Sequence, residues 1–104
     1  MTYTELATEL KTLGYPVAYN TFEERQSPPF LTIIFTSNND LMADNINYAA
    51  RNNFQVELYT AKKYPPTEKE VEDKFKELKL AYEKYETYLN KEELYQIVYR
   101  ITLI

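Results

Sequence analysis

The sequence contains no histidine, no cysteine and no tryptophan, and it has a single glycine. Without cysteine there is no disulfide framework, no thiol nucleophile and no Cys/His zinc site. Without histidine neither a Ser-His-Asp nor a Cys-His arrangement can be built. One glycine cannot make the glycine-rich loops that cradle phosphates. The composition therefore disfavours an enzyme, and no cofactor is expected. Long apolar runs are also missing, since none approaches the roughly 20 residues of a membrane span. The opening Met-Thr-Tyr-Thr-Glu-Leu has neither the basic nor the apolar region of a signal peptide, so none is expected. The lack of cysteine fits a reducing cytoplasm.

What is present is aromatic and mildly acidic. The 104 residues include 11 Tyr and 5 Phe, and the formal charge is −4. That length predicts one domain over residues 1–104. An acidic chain has no bulk attraction for nucleic acid phosphates. The charged and hydrophobic shares, 27% and 44%, are those of a folded domain.

Periodicity divides the chain into helices and strands. Tyr3, Leu6, Ala7, Leu10 and Leu13 share one helical face, Thr2 and Glu5 have capping-box spacing, and Gly14 and Pro16 stop the helix near Leu13. A short strand follows at Val17–Asn20, then a polar loop from Glu23 to Pro29. Phe30–Thr36 is the most apolar stretch, with Leu31, Ile33 and Phe35 on one face and Phe30 and Ile34 on the other. Apolar on both sides, it reads as a central strand covered above and below. Ser37–Asp44 reads as a polar loop carrying Leu41 and Met42. Residues 45–51 and 53–60 alternate and read as a hairpin turning at Arg51–Asn53. After a Pro-containing loop at Ala61–Pro66, Thr67 and Glu70 have capping-box spacing for a second helix. Its stripe is Val71, Phe75 and Leu78, its solvated face carries Glu70–Lys74 and Glu72–Lys76, and it ends near Lys79. Strands at 81–89 and from Tyr95 to Leu103 close the chain, with a turn at Asn90–Glu92. The expected fold is α+β: a mostly antiparallel sheet of about six strands with two helices, in the order α-β-β-β-β-α-β-β.

Chemistry-bearing patterns are sparse. The oxygen-rich run from Ser37 to Asn45 lacks the spacing and central glycine of a calcium loop, so no metal is expected. The carboxylate pairs Glu23–Glu24 and Glu92–Glu93 fall in wet turns rather than across a cleft. Tyrosines on strands could stack on single-stranded bases, but Glu57, Glu83, Glu86 and Glu93 outnumber Lys84, Lys91 and Arg100 beside them. A packed sheet with a tyrosine rim, or a protein interface, accounts for the tyrosines better.

Several segments carry a resemblance to a known family. They are Pro16-Val17-Ala18-Tyr19 with Phe22, Pro28-Pro29-Phe30, Ala43-Asp44-Asn45 with Tyr48, and Val56-Glu57-Leu58-Tyr59-Thr60 followed by Lys62-Lys63. The C-terminal third adds Tyr82-Glu83-Lys84, Glu86-Thr87-Tyr88-Leu89 and Glu93-Leu94-Tyr95-Gln96-Ile97-Val98-Tyr99. In this order the chain resembles the small tail-completion or head–tail joining proteins, terminators or neck connectors, of siphophages and Gram-positive prophages. It departs from them at Lys79-Leu80-Ala81, where a Gly or Asn with an extra turn is expected, and at Arg100, where an acidic residue is expected.

The resemblance implies virion assembly through protein–protein contact, with no active site. It implies a homo-oligomeric ring, often a hexamer in such proteins, that meets tail-tube and neck proteins, first in the bacterial host cytoplasm and then in the virion tail or neck. Leu41, Met42, Asp44, Tyr64 and Tyr88 are the expected interface residues. Two other readings remain open from the residues alone: a small cytoplasmic binding module or phage-encoded inhibitor of a host protein, and a single-stranded nucleic acid binder.

Overall fold

Thr2 begins the first helix as its spacing requires. Its hydroxyl accepts the Glu5 N–H at 3.2 Å, and the Glu5 carboxylate accepts the Thr2 N–H at 3.1 Å. The Thr2 backbone bond holds the Glu5 carboxyl below its usual pKa. The computed structural model describes residues 1–39 and 51–104 in full and the backbone of residues 41–43 and 46–49. Helix α1 spans Tyr3–Lys11, shorter than the expected end near Leu13. The reason is local: the N–H groups of Thr12, Leu13 and Gly14 bond carbonyls three residues back, which winds the last turn tight. Gly14 follows at φ +93°, the left-handed region open to glycine.

Helix α2 spans Pro65–Glu77, and its start differs from the capping box expected at Thr67 and Glu70. The two prolines occupy the first helical positions, where a missing N–H leaves nothing unsatisfied. Thr67 instead turns inward, and Glu70 accepts a bond from Tyr15 Oη at 3.1 Å. The helix ends near Lys79, as expected. Lys79 itself sits at φ +59°, and Leu80 N–H returns to Phe75 O at 2.8 Å. A non-glycine residue is strained there. Lys79→Gly is therefore expected to raise unfolding stability by about 1 kcal/mol, read as a higher denaturant midpoint at unchanged slope.

Strands β1 (Val17–Tyr19), β2 (Phe30–Asn38), β5 (Asn52–Thr60), β6 (Glu83–Leu89) and β7 (Leu94–Leu103) form one sheet, in the order β1-β2-β5-β7-β6. Only β1 and β2 run parallel. The architecture is α+β, with a five-stranded mixed sheet and two helices. A separate two-stranded ribbon joins β3 (Leu41–Ala43) to β4 (Ile46–Ala49).

This pairing corrects two expectations. Residues 52–59 pair with 30–38, whereas Ile46–Ala49 pair with Leu41–Ala43, so Ser37, Asn38 and Leu41–Ala43 of the expected loop are strand. Ser37 and Asn38 extend β2 against Asn53 and Asn52, and β3 and β4 then continue the same hairpin beyond the sheet. Alternation alone could not choose between these partners, because both registers keep apolar residues on matching faces. Phe30–Thr36 is likewise not the central strand. β5 is central, and β2 lies second from the edge.

The register sorts the side chains onto two faces. Leu31, Leu58 and Ile97 form one row and Ile33, Val56 and Tyr99 the next, all fully buried under Leu6, Leu10, Val71 and Phe75 of the helices. Phe30, Ile34 and Val98 point the other way and are only half-buried. The helices cover one face of β2, so its apolar residues on the opposite side form an open surface.

Candidate protein interface

The register of β5 fixes two ends for the sheet. At one end Asn52 pairs with both Asn38 and Leu103, and the β3–β4 ribbon leaves from here. At the other, Thr60 pairs with Tyr95, which pairs with Tyr88. Eight residue steps of strand put these ends roughly 26 Å apart.

Amides bond across the root of the ribbon. Asn53 Nδ2 donates to Ser37 Oγ at 3.0 Å and to Asn39 Oδ1 at 2.8 Å, and its Oδ1 accepts from Thr102 at 2.7 Å. Asn38 Nδ2 reaches Asn52 Oδ1 at 2.9 Å, and Asn39 N–H donates to Arg51 O at 3.0 Å. A register shift between Phe35 and Ser37 bends β2 at this root, and Thr36 Oγ1 bonds Asn53 O at 3.0 Å. An open concavity of about 970 Å³ lies beside it, lined by Thr36, Asn53, Leu80, Tyr82, Arg100 and Ile104. Leu41 and Met42 stand on β3, in register with Ala49 and Asn47. Asp44 lies outside the described residues, as do Asp40 and Asn45 of the oxygen-rich run.

Tyr64 and Tyr88 stand at the opposite end. Tyr64 precedes α2 and is 53% exposed, and Tyr88 is 45% exposed with its ring edge-on to Tyr95 at 5.0 Å. Lys63 bonds Glu86, so both tyrosines flank one junction between the 61–66 loop and β6. The structure thus separates the expected interface residues into a ribbon group and a tyrosine group.

That junction belongs to a charged cluster absent from the sequence reading. Glu68, facing inward from α2, is bonded by Lys63 at 2.8 Å and Lys84 at 2.8 Å. Lys84 also bonds Glu72 at 2.8 Å, and Glu72 accepts from Tyr99 Oη at 2.7 Å. Burial raises the pKa of Glu68, but the two lysines outweigh it and hold the carboxyl below the usual range. Glu72 behaves alike, with Lys84 and Tyr99 outweighing burial. Tyr99 is pushed far up by burial and then by the Glu72 carboxylate it bonds. Of the expected surface pairs, Glu70 bonds Tyr15 and Glu72 bonds Lys84, and Lys74 reaches Glu77 at 3.2 Å and Glu9 at 3.4 Å. The expected solvated face therefore turns inward at Glu68 and Glu72, because β6 places Lys84 opposite them. Nothing in the helical pattern announces this, since it depends on which strand lies alongside.

The uncovered sheet face is the third surface. Phe22 packs edge-on to Phe30 at 5.5 Å, and Phe30 stacks on Tyr59 at 4.9 Å. Tyr59 Oη donates to Glu57 at 2.9 Å, and burial followed by that carboxylate pushes the phenol up to about 12. Arg100 lies over the Tyr85 ring at 4.8 Å.

Comparison of the chain with family models, curated proteins and solved structures finds no match. The functional reading therefore rests on the residues and their placement. The sheet also has two open edges. β1 is a three-residue strand, and β6 is a seven-residue strand exposed almost throughout. Such edges present unpaired backbone groups to any strand that approaches. Among the described residues no helix is long and apolar enough to cross a membrane.

Proposed function

We propose that the chain is a phage or prophage assembly protein that completes the tail or joins head to tail, acting as a ring of identical subunits. The observation that carries this reading is the division of candidate contacts between opposite ends of one sheet. A part that bridges two neighbours along an axis needs one surface for each. The β3–β4 ribbon supplies one, and the Tyr64–Tyr88 end with its charged junction supplies the other. The open edges β1 and β6 leave the sides for lateral contact between copies, where a head-to-tail arrangement closes into a ring. The resemblance of the segments from Pro16 to Tyr99 to tail-completion and head–tail joining proteins points the same way.

A two-stranded ribbon is marginal in water and gains stability when a neighbour covers it. Replacing Leu41 and Met42 together by Ser is expected to leave the melting temperature within a few degrees. The same change should reduce ring formation with tail-tube protein at least tenfold by light scattering. A large loss of monomer stability would instead make these side chains anchors within the subunit. Monomer under all conditions, with or without tail-tube protein, would contradict the assembly reading.

A further inference from the structure

The open face of the sheet holds a buried carboxylate that no cation among the described residues answers. Glu57 lies on the central strand and is only 8% exposed. Its Oε1 accepts bonds from Thr32 Oγ1 at 3.2 Å and Tyr59 Oη at 2.9 Å. Gln96 Nε2 donates to the Tyr59 oxygen at 3.0 Å, so the Tyr59 proton is directed at the carboxylate. The second oxygen accepts no bond, and no cation pairs with Glu57 among the described residues. Among those residues the only side-chain atom both sealed and unpartnered is the Thr60 hydroxyl, so Oε2 keeps an opening outward. Glu68, buried still deeper, is answered by two lysines.

Burying a carboxylate without a cation is unfavourable, and a Thr or Val would suit this strand position better. The surroundings match one kind of cation. The Tyr59 ring adjoins the carboxylate and stacks on Phe30, and Ile34 and Val98 flank it as half-buried aliphatics. A guanidinium is planar, weakly hydrated and stacks on aromatic rings, whereas an ammonium is compact and strongly hydrated. The same face already holds one guanidinium over a ring, Arg100 on Tyr85.

We propose that this face captures an arginine presented by a partner protein, its guanidinium bonding Glu57 Oε2 and lying against Tyr59, with an apolar neighbour of that arginine resting on Ile34 and Val98. The proposal goes beyond the assembly reading and does not depend on it.

The test is an NMR titration of the isotope-labelled full chain with the blocked tripeptide acetyl-Leu-Arg-Leu-amide and its citrulline counterpart, which has the same shape without the charge. The arginine peptide is expected to shift resonances of Thr32, Ile34, Glu57, Tyr59 and Gln96, and the citrulline peptide to bind at least tenfold more weakly. Glu57→Gln keeps an acceptor for Thr32 and Tyr59. It should abolish that preference while melting at the same temperature or higher. Equal binding of the two peptides, shifts elsewhere or no shifts, or a preference that survives Glu57→Gln would overturn the proposal. So would shifts of these resonances with protein concentration alone, which would make a second copy the occupant.

Discussion

Replacing both Lys63 and Lys84 by Met is expected to lower unfolding stability at pH 7 by about 3 kcal/mol, and the loss should shrink steadily towards pH 4. Methionine keeps the apolar stems, so the change isolates the charges. Both lysines are more than a third exposed, and solvent screens their own share. The loss comes from Glu68, whose side chain is 3% exposed and would be left buried without a cation. Its least unfavourable escape is protonation, and carrying a carboxyl from a normal pKa near 4.5 to neutral at pH 7 costs about 3 kcal/mol, which sets the scale of the effect. The sign follows from the pKa directions. In the native protein Glu68 and Glu72 are depressed, so their contribution is present above about 4.5 and is lost as the pH falls through the folded values. In the variant the Glu68 pKa is raised, so acid restores part of the stability. Urea unfolding from pH 4 to pH 8 should therefore show two curves that converge in acid. Parallel curves would mean that the lysines act through packing alone.

Ile33→Ala is expected to cost about 2–5 kcal/mol, a large share of the 5–15 kcal/mol typical of a domain this size. Ile33 is fully buried between Tyr19 of β1 and Val56 of β5 and faces the helices. Its chain neighbour Ile34 faces the open side and is half-buried, so Ile34→Ala should cost about 1 kcal/mol or less. The contrast between adjacent isoleucines measures which face of β2 is covered. Equal losses would restore a strand covered on both sides.

Much of the fold is legible in the sequence. The Thr2–Glu5 cap, the Gly14 stop, the helix end near Lys79 and the alternation of Tyr95 to Leu103 are local signals, and each is read from a few neighbouring residues. Pairing is not local. Residues 45–51 and 53–60 look like a hairpin because they are adjacent and alternate, yet residues 52–59 pair with the more apolar 30–38. Thr67 looks like a cap because its spacing to Glu70 is right, but Pro65 and Pro66 already start the helix. The candidate surfaces divide in the same way. Tyr64 and Tyr88 could be named as exposed aromatics, whereas their meeting at one end required the register. Glu57 reads as an ordinary strand carboxylate and Glu72 as one on a solvated helix face, because burial of a charge depends on elements far away in the chain.

The proposed role in virion assembly can be tested in the particles themselves. The direct measurement is electron microscopy of the particles released when its gene is deleted from the genome that carries it, with complementation by the intact gene. An assembly protein of this kind would leave separate heads and unjoined tails, many of abnormal length, with joined particles restored on complementation. Joined virions with tails of normal length in the deletion strain would contradict it.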